Sequence, residues 1–174
     1  MSTKPAENPL GRLADQRVLI TTADQYMGPV IAQRFEEEGA VLIRDNGTYE
    51  SDPLEPARIV EGAGRVDILV LNLIGAIGGK AEATTEDQWQ YVFNRLVHPT
   101  MRFVTAVLPQ MIERQAGKII AVTSAAPMRA VPGMSTYSAA RGAQNTYVRT
   151  VGAEVARHNI QFNAIGQHFT KGGF

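Results

Sequence analysis

The sequence predicts an α/β fold, a doubly wound parallel sheet lying between two layers of helix. Two observations carry this expectation. Short runs of branched apolar residues alternate with longer helical segments along the chain, the pattern of successive strand–helix–strand units. At the carboxyl ends of those runs fall Thr22, Asn72, Ser124 and Gly166, small or polar residues placed where such sheets hold their ligands.

The elements follow in order. "RVLITT" (17–22) reads as a buried strand. "MGPVIAQRFEEEGA" (27–40) reads as a helix, with Pro29 suited to its first turn and Gly39 to its end. "VLIRD" (41–45) is a second strand, and 46–64 is rich in Gly, Pro and acids, with one short helix around 54–61. "VDILVLN" (66–72) is the next buried strand. "TTEDQWQYVFNRLVH" (84–98) opens on a capping signal, Thr84 followed by Asp87. Pro99 predicts a kink before the helix resumes to about Arg114. "KIIAVTS" (118–124) is a strand, 135–157 a helix, and "IQFNAIG" (160–166) a last strand. There is no internal repeat and no interdomain linker. Residues 1–14 read as a flexible polar leader and 15–174 as a single domain.

Composition excludes several classes of function. The formal net charge of the 174 residues is zero and no basic block stands out, which argues against nucleic-acid binding. No apolar run approaches the roughly 20 residues a membrane helix needs, and "MSTKPAENPLGRLADQ" lacks the apolar centre of a signal peptide. The chain has no cysteine, so disulfides and thiolate chemistry are excluded, in keeping with a reducing cytoplasm. His98, His158 and His168 show no metal-ligand spacing.

The chemistry concentrates in "STYSAARGAQ" (135–144). Tyr137 and Arg141 lie one helical turn apart and share a face. A free tyrosine has a pKa near ~10, and a fixed positive charge one turn away favours the phenolate. Arginine keeps that charge under ordinary conditions. Each candidate also has a plainer role: Tyr137 and Arg141 as an exposed helical pair, Ser124 as the end of a strand, Tyr26 as core packing and His168 as a loop residue. Asp45 reads as a solvated loop residue, Glu36 to Glu38 as a wet helix face, and Trp89 as packing.

From about residue 15 onward the order of elements resembles the short-chain dehydrogenase/reductase superfamily. A glycine-bearing turn after the first strand, Asn72 after "DILVL", and Ser124 thirteen residues before Tyr137 carry the resemblance. The departures from redox members are as informative. Where those have Thr-Gly-x-x-x-Gly-x-Gly, this chain has Thr21-Thr22-Ala23-Asp24-Gln25-Tyr26-Met27-Gly28 and keeps only the last glycine. Those glycines let backbone approach a pyrophosphate, a space Tyr26 would fill. Asn72-Leu73-Ile74 replaces Asn-Ala-Gly, the strand with an adenine-contacting Asp is hard to find between Asp45 and Asp67, and Leu96 takes the place of the proton-relay Asn.

With Tyr-x-x-x-Arg in place of Tyr-x-x-x-Lys, this set of losses resembles the halohydrin dehalogenases, the B-type members in particular. "TTADQYMGP", "VHP", "VLPQ", "TSAAPMR", "YSAAR" and "ARHNIQFNAIGQHFT" carry the likeness. The resemblance implies a Rossmann-like three-layer fold, truncated after about the sixth strand because the chain stops at "QHFTKGGF", short of the family's last helices, strand and tail. It implies a cofactor-independent carbon–halogen lyase that converts vicinal halohydrins to epoxide and halide, and reopens epoxides with small anions. Tyr137 would be the base, Arg141 its cationic partner and Ser124 the residue that holds the substrate oxygen. Tyr26, Gln167, His168 and Phe169 would line the halide site. It implies no dinucleotide and no metal, and homo-oligomers formed through helices 84–115 and 135–157. Two other readings stand beside it: an NAD(P)-dependent oxidoreductase with a degraded fingerprint, and a non-catalytic truncated remnant.

Overall fold

The structure is a computed structural model and describes residues 11–168. Among them run β1 (Arg17–Ile20), α1 (Gly28–Glu37), β2 (Val41–Arg44), α2 (Glu55–Ala63), β3 (Ile68–Leu71), α3 (Glu86–Arg114), β4 (Gly117–Ser124), α4 (Ser135–Val155) and β5 (Ile160–Gln167). The strands form one all-parallel sheet in the order β2-β1-β3-β4-β5. The chain steps outward from β1 to β2, then returns to the other side of β1. The sheet's direction of growth therefore reverses beside β1, and a crevice opens at the carboxyl edge.

Strand periodicity sorts the core onto the two faces. Val18, Ile20, Ile68 and Val70 pack with Ala32 of α1 on one side. Leu19, Leu69 and Leu71 pack with Val60 of α2, Phe103 and Met111 of α3, and Val148 of α4 on the other. Every β3 side chain is buried, as a central strand covered on both faces requires. Each fully buried Leu, Ile or Phe contributes about 1.5–3 kcal/mol relative to exposure.

The element order follows the sequence expectation, with four differences of detail. Between Asp45 and Asp67 no strand forms: the chain turns through Tyr49, at φ 61°, and enters α2. The described sheet therefore has five strands rather than about six, and β2 is an edge. Residues 11–14 are not leader. Leu13 N–H donates to Glu38 O (2.9 Å) and Arg12 Nε to the Glu38 carboxylate (2.8 Å). At Gly11, with φ +82°, an added Cβ would lie 2.2 Å from Glu38 O, so this close approach needs glycine. Residues 1–10 lie outside the described residues. Glu38 is accordingly an ion-paired helix end, bonded to Arg12 and Arg34, while Glu36 and Glu37 are exposed. Finally, Thr85 rather than Thr84 caps α3. Its Oγ1 accepts from Gln88 N–H while the Gln88 side chain accepts from Thr85 N–H. That reciprocal pair outcompetes Thr84–Asp87, and α3 then runs unbroken through Pro99 and Pro109.

Candidate active site

The turn from β1 to α1 forms one side of the crevice. Thr22 and Tyr26 hold φ of 48° and 56°, the left-handed region that glycine enters freely and β-branched or aromatic residues rarely do. These are two of the three positions where the redox pattern places glycine, Gly28 being the third. The backbone keeps a glycine path while carrying side chains. Gly28 is the glycine that packing enforces: a Cβ there would sit 2.3 Å from Ala23 O. Asn72 clamps the turn from β3, donating from Nδ2 to Thr22 O (2.9 Å) and Gln25 O (3.0 Å).

Ser124, Tyr137 and Arg141 form the opposite side. Ser124 ends β4, nearly buried, and its Oγ accepts from Ala126 N–H at 3.0 Å. The β4–β5 register sets Ser124 beside Gln167, and Ala125 N–H donates to Gln167 O at 2.9 Å. Tyr137 and Arg141 occupy the first two turns of α4. Arg141 is 3% exposed. Its Nε donates to Tyr137 Oη at 3.2 Å. The remaining bonds run to Val122 O, Gln144 Oε1 and Leu73 O at 2.9–3.0 Å. All four acceptors are neutral, so no carboxylate cancels the guanidinium charge beside Tyr137. The two are not the exposed pair that was one possibility.

One cavity of about 530 Å³ unites the two sides. Ser124, Tyr137, Arg141, Tyr26, Gln167 and His168 all line it. Gln167 Nε2 donates to Tyr26 Oη, joining the β1–α1 turn to the end of β5. Tyr26 is 40% exposed, a cavity wall and not a core residue. Phe169 lies outside the described residues. Trp89 stacks on Phe93 (4.8 Å) away from this cavity.

Three residues of consequence escaped the sequence reading. Gln144 is fully buried, accepts from Arg141 and donates from Nε2 to Leu96 O (2.9 Å) and Thr100 Oγ1 (2.7 Å). It ties the cation to α3, using the backbone carbonyl of Leu96. Its position seven residues after Tyr137, on the same helical face, was the available signal. Tyr49 is buried against Phe103 (5.0 Å, edge-on). Its hydroxyl donates to Asp45 and accepts from Thr22 N–H, and burial followed by the Asp45 hydrogen bond pushes its phenol well above the ordinary value. Asp45 is therefore a bonded group and not the solvated loop residue expected. Arg95, half-buried, donates to Ile74 O at 2.8 Å and pairs with Glu50, fixing the cavity wall after β3.

In sheets of this class a dinucleotide lies across the first turn, with its pyrophosphate at the helix N-terminus and its ribose on an acid at the end of β2. The residues present do not fit it. Tyr26 stands in the approach to α1, and the acid at the end of β2 is bonded to the buried Tyr49 hydroxyl.

A parallel sheet with a reversal point and a site at its carboxyl edge defines a doubly wound nucleotide-fold protein. The particular family is shown by sequence: the short chain dehydrogenase model matches residues 55–172, and the chain belongs to that family. The chain is 28% identical to 1,6-dihydroxycyclohexa-2,4-diene-1-carboxylate dehydrogenase of Acinetobacter baylyi, the match covering 94% of this chain and 72% of that protein. It is likewise 28% identical to 3-ketodihydrosphingosine reductase of Bacteroides thetaiotaomicron, over 84% of this chain and 61% of the relative. The chain thus spans less than two thirds of that reductase. A solved structure named "Dehalogenation enzyme" superposes with a TM-score of 0.83 at 24% identity, covering 91% of this chain and 74% of its own, a likeness of fold. Among the described residues no helix is long and apolar enough to cross a membrane, and no group of His, Cys, Asp and Glu could hold a metal ion.

Proposed function

We propose that the cavity removes halide from vicinal halohydrins without a nucleotide. The observation that carries this reading is the juxtaposition of a Ser124–Tyr137–Arg141 set with a first turn filled by Tyr26, in a single cavity. Such a site can move a proton and hold an anion, and it has little room for a hydride carrier. The name of the superposed dehalogenation enzyme is in keeping with this reading.

Ser124 and Tyr137 bind the substrate hydroxyl, and Tyr137 Oη takes its proton. The oxygen lone pair attacks the neighbouring carbon, the C–O bond of the epoxide forms, and the C–halogen bond breaks with its electron pair leaving on the halide. Tyr137 returns its proton to solvent, so the net products are epoxide, halide and one proton. Arg141 supplies uncancelled positive charge beside the phenolic oxygen as negative charge develops there. Nucleophile and leaving group sit on adjacent carbons, so holding the in-line geometry accounts for much of the rate. The halide departs toward Tyr26, Gln167 and His168, where a Tyr26 hydroxyl that accepts from Gln167 keeps its own proton to donate.

The names of the dehydrogenase relatives favour the second reading, nucleotide-dependent redox chemistry on the same Tyr137. The test is halide release from 1,3-dichloro-2-propanol with no nucleotide added, repeated with Tyr137→Phe. Release abolished by the variant is the expected result. Tight NAD(P)H binding with no halide release would replace this reading with the redox one. Assembly of copies through α3 and α4 goes with the proposal: Trp89, Tyr91 and Met101 on α3 are each more than a third exposed. Sedimentation of the Trp89→Glu and Met101→Glu variants against the parent measures it.

A further inference from the structure

The cavity is lopsided in charge and larger than a three-carbon substrate needs. No aspartate or glutamate lines it among the described residues, while two arginines do. Arg141 is wholly engaged at the inner end. Arg129 is exposed, on the 125–134 segment between Ser124 and α4. Elsewhere the arginines at 12, 34, 44, 58, 65 and 95 are each paired with a carboxylate. No hydrogen bond or ion pair engages the Arg129 guanidinium among the described residues. Leu73, Ile74, Ala126, Val131 and Met134 line the same cavity, with Val131 39% and the adjoining Met128 82% exposed.

A cavity that joins buried polar groups, an apolar wall and an exposed cation with no carboxylate partner complements an amphiphilic anion. We infer that Arg129 is a specificity residue that holds a carboxylate on the substrate, remote from the carbon that bears the halogen. The substrate class is then a vicinal halohydrin with a short aliphatic link to a carboxylate. The aliphatic part lies along Leu73, Val131 and Met134, and the carboxylate meets the planar guanidinium fork, which suits it in geometry as well as charge. This inference rests on the proposed dehalogenation for its reaction but not for its binding step.

The experiment therefore has a binding arm and a turnover arm, both on the full chain. Binding of hexanoate and of its neutral isostere hexanamide is measured by ligand-observed NMR at low salt, for the parent protein, Arg129→Met and Arg129→Glu. The parent should bind hexanoate about tenfold more tightly than hexanamide, the scale of one charge-assisted bond at a partly desolvated site. Arg129→Met should bring that ratio to about one, and Arg129→Glu should invert it. Turnover of 4-chloro-3-hydroxybutanoate and of its amide should follow the same ratios in kcat/KM. A parent ratio of one, or a ratio that survives Arg129→Met, overturns the role of Arg129. If the hexanoate preference depends on Arg129 but no halide is released from either halohydrin, the carboxylate site stands and the dehalogenation reading falls.

Discussion

The two sides of the crevice treat their inherited positions in opposite ways. In the β1–α1 turn the backbone at Thr22 and Tyr26 keeps the left-handed path of a glycine loop, yet the side chains there have taken the space such a loop leaves open. In the β4–α4 half Ser124 and Tyr137 stand at the spacing of the family pattern, and the arginine that replaces the pattern's lysine is held by neutral acceptors. A main-chain path can outlast the ligand it served, because neighbouring packing fixes it. Gly28 against Ala23 O and Asn72 against Thr22 O are that packing. On the proposed function, chemistry belongs to the second half and shaping of the cavity to the first.

The sharpest way to break the contrast is to remove one phenolic oxygen from each side. Tyr137→Phe should cut halide release by about 10²–10⁴-fold, the range of a lost general base, with only a modest drop in the thermal midpoint as Arg141 Nε–H loses its acceptor. Tyr26→Phe should cost less than about tenfold, chiefly in affinity for halide in the reverse reaction, since a single neutral hydrogen bond contributes about 1 kcal/mol. Equal losses from the two would erase the distinction.

The next effect concerns what holds each side in place. Gln144→Met leaves one buried Arg141 N–H without its acceptor, while Leu96 O still accepts from Thr100 Oγ1, and should cost about 1–3 kcal/mol in denaturant unfolding, with kcat falling more than KM changes. Gly28→Ala should cost about 1–3 kcal/mol through overpacking as α1 moves away from Ala23. If Gly28→Ala is neutral by the same measurement, the turn is not held by packing at all.

The smallest expected effect lies under the first turn. Tyr49→Phe should cost about 1 kcal/mol for its two hydrogen bonds. The Tyr49 phenol is raised in the folded chain by burial and by Asp45. An unfolded chain ionises near the ordinary value of 10.0 while the folded one stays protonated. That contribution is thus complete below about pH 10 and lost as the pH rises beyond it. Unfolding midpoints taken from pH 8 to 11 should fall less steeply for Tyr49→Phe than for the parent.

Much of this was legible in the sequence. Branched apolar runs, Pro29 near the start of α1 and Gly39 after its end act through local sterics, and they located the elements. The pairing of Tyr137 with Arg141 was legible from helix geometry, and Ser124 joined them through the spacing that the family resemblance supplies. The bonding of Arg12 to Glu38, of Tyr49 to Asp45 and of Gln144 to Thr100 was not. Each joins residues that come together only once the sheet closes or two helices pack, and no local pattern encodes them. The sign of φ at Thr22 and Tyr26 was equally hidden, since nothing in either residue type announces a left-handed backbone.

The anchoring of Arg141 has a consequence for inactivation by heat. Its guanidinium is fastened to the main-chain oxygens of Val122 in β4 and of Leu73, two residues past β3, and, through Gln144, to Leu96 in α3. Local opening events of low free energy, which in many enzymes silence a site well before the molecule melts, cannot release this cation without loosening β4, the exit of β3 and α3 together. Loss of activity and loss of ellipticity should then trace one curve as temperature rises, and the same protein should show no separate, earlier phase of reversible inactivation.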